Sequence, residues 1–504
     1  MILNLAVTPD GKSSTAHLAA VCRDWQTIVE RTTFSRLTIT PQKLPDLENI
    51  LRMNRRRQNV RYIWLCIELP DYTCSDCMDT ESDECQDQTR EIINNTMRGL
   101  FMGLSTWEKP GRGGLQLDIS VHSPSDTEHH FKYIRFSPDR IPAHQDDDKN
   151  AMVISDPPHD WEDNAPTSRP PHWSIKRLFG HNELDPDLLK RLPTIPAVTN
   201  LTFRRQTRRR WDPEHLGQLI KLFPHLKELS YEPWREWTHR SQTYTDIDYL
   251  SLFDSLTQNN NLDKIALFED SNEDYIRSFR YSSDQSSPRR HTARVRVSPR
   301  DINESLAQAS LNLVQLSASF IADAAHFFKA CQPEWVWGRL TSLSLTTPVM
   351  APPPKCSPSA INKLLGQAAG VAANMPALNT LELWDGGVRG KRGFAAVFRY
   401  QYLEHGEGRL PAVITWRGTF GVRLVEEVVQ SWKDVAFRRR GERDGEFRVV
   451  MDRISGADRR RIKSHGDAVY QLGLVNEVAR PVSVWQVRRE NAKGFWNGGG
   501  EGWK

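Results

Sequence analysis

No stretch of this 504-residue chain approaches the run of about 18 apolar residues that a membrane-spanning helix needs, so no membrane contact is expected. Met1–Val7 is apolar, but it has no basic flank and is too short for a secretory leader. Cysteine is scarce and odd in number, seven residues scattered over the chain. That argues against a disulfide scaffold and for a reducing compartment, cytoplasmic and/or nuclear. One-sided charge is absent too: 67 Lys and Arg against 63 Asp and Glu leave +4, too little to point to nucleic acid. The chain contains no G-x-S-x-G, no H-E-x-x-H and no paired-carboxylate constellation, and none of its 15 His falls in a ligand pair on a helix face. It is therefore not expected to be an enzyme, and no cofactor is expected. A phosphate-binding loop is likewise incomplete. Asp10-Gly11-Lys12-Ser13 follows the strand-like Ile2–Val7, but Ala6 stands where the first glycine should let backbone N–H groups cradle phosphate.

What is present is an ordinary charged fraction of 26%, a modest hydrophobic fraction of 38% and sixteen Trp, large anchors for cores or interfaces. The length suggests about three domains, or one continuous body if the chain is a repeat array. Strand and helix patterns take turns. Val60–Ile67 is β-prone throughout, Glu91–Leu104 carries Ile92, Ile93, Met97, Leu100 and Phe101 at helical spacing, and Leu115–Val121 alternates cleanly. Residues 143–172 are acidic and Pro-rich and are expected to be a linker or surface loop.

A repeat begins at Ile195. Ile195-Pro196-Ala197-Val198-Thr199-Asn200-Leu201-Thr202-Phe203 is matched by Phe223–Tyr231, Asn260–Leu267, Leu311–Ala318, Gly338–Leu345 and Met375–Leu383. The middle apolar position recurs at Leu201, Leu229, Ile265, Leu316, Leu343 and Leu381, and helical stretches fill the gaps, among them Ser319–Ala330 and Ile361–Asn374. A strand plus a helix cannot close a core alone, so such units must stack on their neighbours. The pattern resembles a leucine-rich repeat with irregular spacing, which implies an α/β solenoid whose concave strand face binds protein or peptide.

Upstream lies His17–Ile39. Leu18, Val21, Cys22, Trp25, Ile28 and Val29 form one apolar stripe at helical spacing, and an extended piece with Leu37 and Ile39 follows. Leu18-Ala19-Ala20-Val21-Cys22-Arg23-Asp24-Trp25, then Phe34 and Leu37, resembles the second half of an F-box. The family's first helix, of the form LPxEIxxxIxxxL, would fall upstream, where only Met1–Ala16 stands, so this half of the module is expected to be missing. The resemblance implies the substrate-recognition subunit of a Skp-cullin-F-box ubiquitin ligase, and an F-box followed by leucine-rich repeats is a familiar architecture. The irregular spacing and Trp-rich strands look like the divergent F-box proteins of filamentous fungi. By the same resemblance, Leu18, Val21, Cys22, Trp25, Ile28, Val29, Phe34 and Leu37 would form the F-box core or its adaptor-facing surface. The partners would be a Skp-family adaptor with its cullin core and an unknown protein substrate held by the repeats. The alternative is an interaction scaffold with no ligase role, or one that lost adaptor binding through truncation.

The expected organisation is a partial F-box-like segment (1–40), first strand–helix units (41–142), the linker (143–172) and the array (173–390) with a Ser/Arg-rich disordered insertion (270–300). An α/β cap (391–490) and a disordered tail (491–504) follow. In the cap, Ala412–Trp416, Phe447–Met451 and Val482–Val487 read as strands. The insertion's Ser287-Pro288 and Ser298-Pro299 pairs are candidate phosphorylation sites. Cys74, Cys77 and Cys85 are candidate zinc ligands because two thiolates two residues apart can reach one tetrahedral ion. A fourth donor is not evident, and His122 or His129 would have to come from afar, so an ordinary solvated loop is expected. The arginines at 204–205, 208–210, 438–440 and 459–461 are expected to be solvated faces.

Overall fold

The computed structural model describes residues 16–50, 54–108, 113–139, 155–272, 275, 297–354, 357–389, 392–403, 412–440 and 447–491. The fold is mixed α/β around one twelve-stranded sheet whose spatial order follows the chain. Its strands are β1 (Arg36–Ile39), β2 (Tyr62–Glu68), β3 (Leu115–His122), β4 (Val198–Phe203), β5 (Glu228–Tyr231) and β6 (Lys264–Phe268). They continue with β7 (Gln315–Ser319), β8 (Ser342–Thr346), β9 (Thr380–Arg389), β10 (Arg392–Tyr402), β11 (Ala412–Gly418) and β12 (Phe447–Arg453). Neighbours from β1 to β9 are parallel. β10 runs antiparallel to β9 and β11, and β12 closes the sheet parallel to β11.

The repeated apolar position is one column of this sheet. Leu201 pairs with Leu229, Leu229 with Ile265, Ile265 with Leu316, Leu316 with Leu343 and Leu343 with Leu381. The column continues back through Leu117, Ile63 and Leu37, in units whose spacing does not announce them. These side chains belong to one contiguous core, which also takes Ile93, Met97, Leu100, Phe101 and Leu104 from the helix Asp83–Ser105. The helices Pro213–Ile220, His239–Thr257, Arg300–Ala309, Ala324–Ala330, Pro358–Ala372 and Glu426–Arg440 lie on the same side. Burying each large aliphatic side chain contributes about 1.5–3 kcal/mol relative to exposure, so the column fixes register as well as stability.

Local chemistry starts these helices where the chain leaves the sheet. Asp212 and Ser357 each precede a proline and accept backbone N–H groups of the first turn, Asp212 from Glu214 and His215, Ser357 from Ala360. Asp323 caps Ala324–Ala330 in the same way. The expected helix Ser319–Ala330 is therefore shorter: Ser319 ends β7, and Phe320 takes a left-handed φ of 64° before the cap. At Gly114 a Cβ would stand 1.4 Å from Thr199 Oγ1, so the entry to β3 tolerates no side chain beside β4.

The sheet's other face is covered by the chain itself. Ile454, Ile462, Ala468, Leu472, Val478 and Ala479 pack on Phe268, Phe320, Trp384, Ala395 and Val397. Asn476 bonds Ser342, and Glu382 accepts the backbone N–H groups of Val475 and Asn476 while pairing with Arg399 at 2.7 Å. The helix Pro481–Asn491 closes over the middle: Ser483 Oγ and the Arg480 N–H donate to Glu232 at 2.5 and 2.7 Å.

Several expectations are corrected here. Val482–Val487 is helical: Val482, Ser483, Gln486 and Val487 are buried, a helical spacing, and Pro481 supplies a helix start. Residues 391–490 add three strands to the same sheet and a layer across its second face, and β10 was not anticipated. Within 143–172, the described residues from 155 are mostly exposed or half-buried, as in a surface loop, and carry one short antiparallel pair, Trp161–Glu162 with Ala165–Pro166, and the ion pair of Asp156 with buried Lys132. The arginines at 204–210 are not a solvated face. Arg204 is bound to Asp118 at 2.8 Å with both side chains buried; Arg205 pairs with Asp270 and Glu490, Arg208 with Glu490, Arg209 with Glu81 and Arg210 with Glu236. Arg459–Arg461 is exposed. Ser298 is buried and bonded to Asn303 at 2.7 Å, so that Ser-Pro pair is no accessible phosphorylation site. Ile2–Val7, Gly11-Lys12-Ser13, Ser287-Pro288 and the 494–504 tail lie outside the described residues. Among the described residues, no helix is long and apolar enough to cross a membrane.

Candidate functional site

The N-terminal stretch sits at the β1 end of the sheet. The stripe predicts one helix, but there are two, Ala16–Ala19 and Arg23–Thr33, with Cys22 extended between them (φ −161°, ψ 172°). β-branched Val21 and Cys22 are poor helix formers, and apolar periodicity does not register a break that keeps the same face. The C-terminal half is anchored. Val29 is buried, Phe34 and Leu37 pack against the main core, and buried Glu30 is held by Arg56 at 3.1 Å and by Gln26 at 3.0 Å. The N-terminal half is open: Val21 is 64% exposed, Cys22 is exposed, and Leu18, Trp25 and Ile28 are half-buried. The eight residues of the motif thus divide into a docked set of three, two that are exposed, and three that are half-buried outside the main core.

The strand face expected to hold a substrate is not open. Trp64, Asp118, Ser120, Thr202, Ala266, Ser317, Ser344 and Glu382 all point away from the helices and are all buried, under the C-terminal layer and the loops after β3. At the far end, β12 is the edge strand and leaves Val449, Val450 and Met451 exposed.

Beyond the end of β2, a third feature assembles. Cys74, Cys77, His129 and His159 place one donor atom each within 4.8 Å of one another. Cys74 and Cys77 sit on a tight turn in which Thr73 donates to Asp76 and Cys77 Sγ lies 3.1 Å from the Cys74 carbonyl. Ser174 and Arg177 bond the carbonyls of Cys77 and Asp79, fixing this turn to the helix His172–Leu178. His129 follows a short 3-10 turn at Pro124–Thr127, where Ser123 and Asp126 form a capping box. It stacks on Tyr72, 5.3 Å between centroids. His159 precedes Asp160, whose φ of 64° turns the chain into the Trp161–Pro166 pair. Next to the cluster, His130 lies 3.7 Å from Cys77 Sγ and 2.6 Å from Asp160. Burial, reinforced by neighbouring Cys74, pushes the Cys77 thiol up to about 11, and burial followed by His130 and His129 lowers the His159 imidazole.

The chain pattern found Cys74 and Cys77 and allowed His129 as a distant donor. Cys85 takes no part. It lies in the first turn of the helix Asp83–Ser105, where its N–H bonds the Ser82 cap. His159 was missed because a Pro-rich composition reads as a spacer, and nothing in it shows that the segment packs.

A family model described as a family of unknown function (DUF6546) matches residues 256–480, less than half of the chain. That span covers β6 to β12 and most of the layer on the second face, and it excludes both the N-terminal motif and the Cys/His cluster. No curated protein matches the chain.

Proposed function

We propose that this chain is the substrate-recognition subunit of a Skp-cullin-F-box type ubiquitin ligase, with a leucine-rich-repeat-like array of strand–helix units behind a partial F-box. The observation that carries this reading is the apolar helix pair at the β1 end of the sheet, where Val21 and Cys22 are exposed and Leu18, Trp25 and Ile28 are half-buried outside the main core. Isolated exposed hydrophobics are normal, whereas apolar side chains left partly uncovered along one short helix pair suit a partner surface. With the strand face covered, a substrate would meet the outer edge of the array, where β12 offers an open strand flanked by Val449 and Met451.

The test is co-purification of the full chain with a Skp-family adaptor. The adaptor is expected to be retained by the intact protein and lost at least about tenfold in Val21→Glu, a change at an exposed position that leaves the core untouched. An intact chain that retains no adaptor rejects the reading. The second reading, an interaction scaffold with no ligase role, is favoured by the docked half of the motif: Val29, Phe34 and Leu37 seal the β1 end of the core as a cap would.

A further inference from the structure

The geometry points to a structural zinc site at Cys74, Cys77, His129 and His159, tying three loops together at one end of the sheet. Two thiolates and two imidazoles are the donor set of a closed, four-coordinate zinc centre. In such a centre the donor atoms stand about 3.3 to 3.8 Å apart, as metal bonds of about 2.0–2.3 Å require. Here all four lie within 4.8 Å, and Cys74 Sγ is already 2.9 Å from His159 Nε2. Closing the set around an ion takes side-chain adjustments of about 1 Å or less, within ordinary rotamer freedom.

A second observation points to the same ligand. His129 is only 7% exposed, and its Nδ1 has no hydrogen-bond partner. Its Nε2 lies 3.5 Å from the Tyr72 carbonyl. An N–H on Nε2 directed at that carbonyl leaves the lone pair on Nδ1, the tautomer a metal-bound imidazole adopts with its second nitrogen held by an acceptor. A buried imidazole nitrogen without a partner is costly unless something else binds it. His130 completes the outer shell. Its Nδ1–H donates to Asp160 at 2.6 Å and its Nε2 lies 3.7 Å from Cys77 Sγ, so it packs against the thiol from the outer side of the cluster.

The site is structural, because four protein donors leave no open position for a substrate or a water nucleophile. What it joins is distinctive. Cys74 and His159 are 85 residues apart, so the ion would close a long loop and pin the 155–170 segment to the turn after β2. Thiolate donors select zinc over magnesium or calcium, and an S2N2 set suits a tetrahedral zinc ion. This inference is independent of the ligase reading.

The experiment uses the full chain purified under reducing conditions without a metal-affinity tag. Elemental analysis is expected to find about one zinc per chain, and replacement with Co2+ to give the tetrahedral d–d bands and thiolate-to-cobalt charge-transfer absorption of a two-thiolate site. Cys85→Ser is expected to keep the metal. His159→Ala and Cys74→Ser, at a half-buried and an exposed position, are expected to lose it together with the charge-transfer band. Chelation is expected to open new protease cleavage within residues 155–170. A wild-type chain with only trace zinc and no cobalt–thiolate absorption overturns the proposal, as does a Cys74–Cys77 disulfide in its place. Full zinc retained in the Cys74→Ser and His159→Ala double variant overturns it as well.

Discussion

Two side chains of the same type can meet opposite fates in this fold. His122, at the end of β3, lies on the covered face and stacks on Phe136 with centroids 3.7 Å apart. Burial pushes its imidazole down to about 4, so it stays neutral in the folded protein at any pH near neutrality. The unfolded chain, with an ordinary histidine near pH 6.5, binds the proton more readily, so the stability this histidine contributes is full above about 6.5 and is lost as pH falls toward 4. Denaturant titrations are expected to lose about 1–3 kcal/mol over that interval, and His122→Phe is expected to flatten the slope there. An unchanged slope in the variant would show that His122 is not the group responsible. Arginine divides in the same way. Arg204–Arg210 and Arg459–Arg461 look alike as strings, yet the first is sealed against Asp118, Asp270, Glu490, Glu81 and Glu236 and the second is exposed. A charged run is solvated unless distant carboxylates arrive to meet it, and nothing local to the run says whether they will.

Elements were legible to the degree that their signals are local. The apolar period showed that helices fill the gaps but not where they begin: the caps are Asp323 rather than Ser319, and Ser357 rather than Ile361. The repeat column was readable because parallel pairing in register demands the same residue type in every strand. Val482–Val487 was misread because alternating valines fit a strand as well as a helix with one buried face, and only the surface beneath them arbitrates. Near the start of β10, Gly393 lies against the segment that covers it: a Cβ there would stand 2.2 Å from the Ile462 carbonyl oxygen and 2.8 Å from Ile462 Cβ. Since backbone cannot step aside cheaply, Gly393→Ala is expected to destabilise the protein by about 1–3 kcal/mol. It should also speed proteolysis of the 454–491 segment ahead of global unfolding. Equal cleavage in both proteins would mean that the approach at Gly393 is not what holds this layer down.

At the scale of the molecule, the C-terminal layer turns a sheet with one buried face into one with two. Phe268, Phe320, Trp384 and Val397 become an exposed apolar patch if that layer is removed, and Arg205, Arg208 and Glu232 lose Glu490 and Ser483. A chain ending at Arg453 is expected to aggregate or to bind a hydrophobic dye strongly, whereas an open, substrate-ready strand face would stay soluble without the layer. Soluble, dye-silent truncated protein would restore the strand face as a binding surface.

The sequence by itself determined the strand–helix alternation and the register of the repeat column, because each depends on spacing within a few residues or on a residue type repeated from unit to unit. Tertiary structure alone decided that both sheet faces are covered, which arginines are buried, and that His129 and His159 arrive beside Cys74 and Cys77. Those outcomes rest on contacts between segments far apart in the chain, and such contacts leave no period, cap or motif to read.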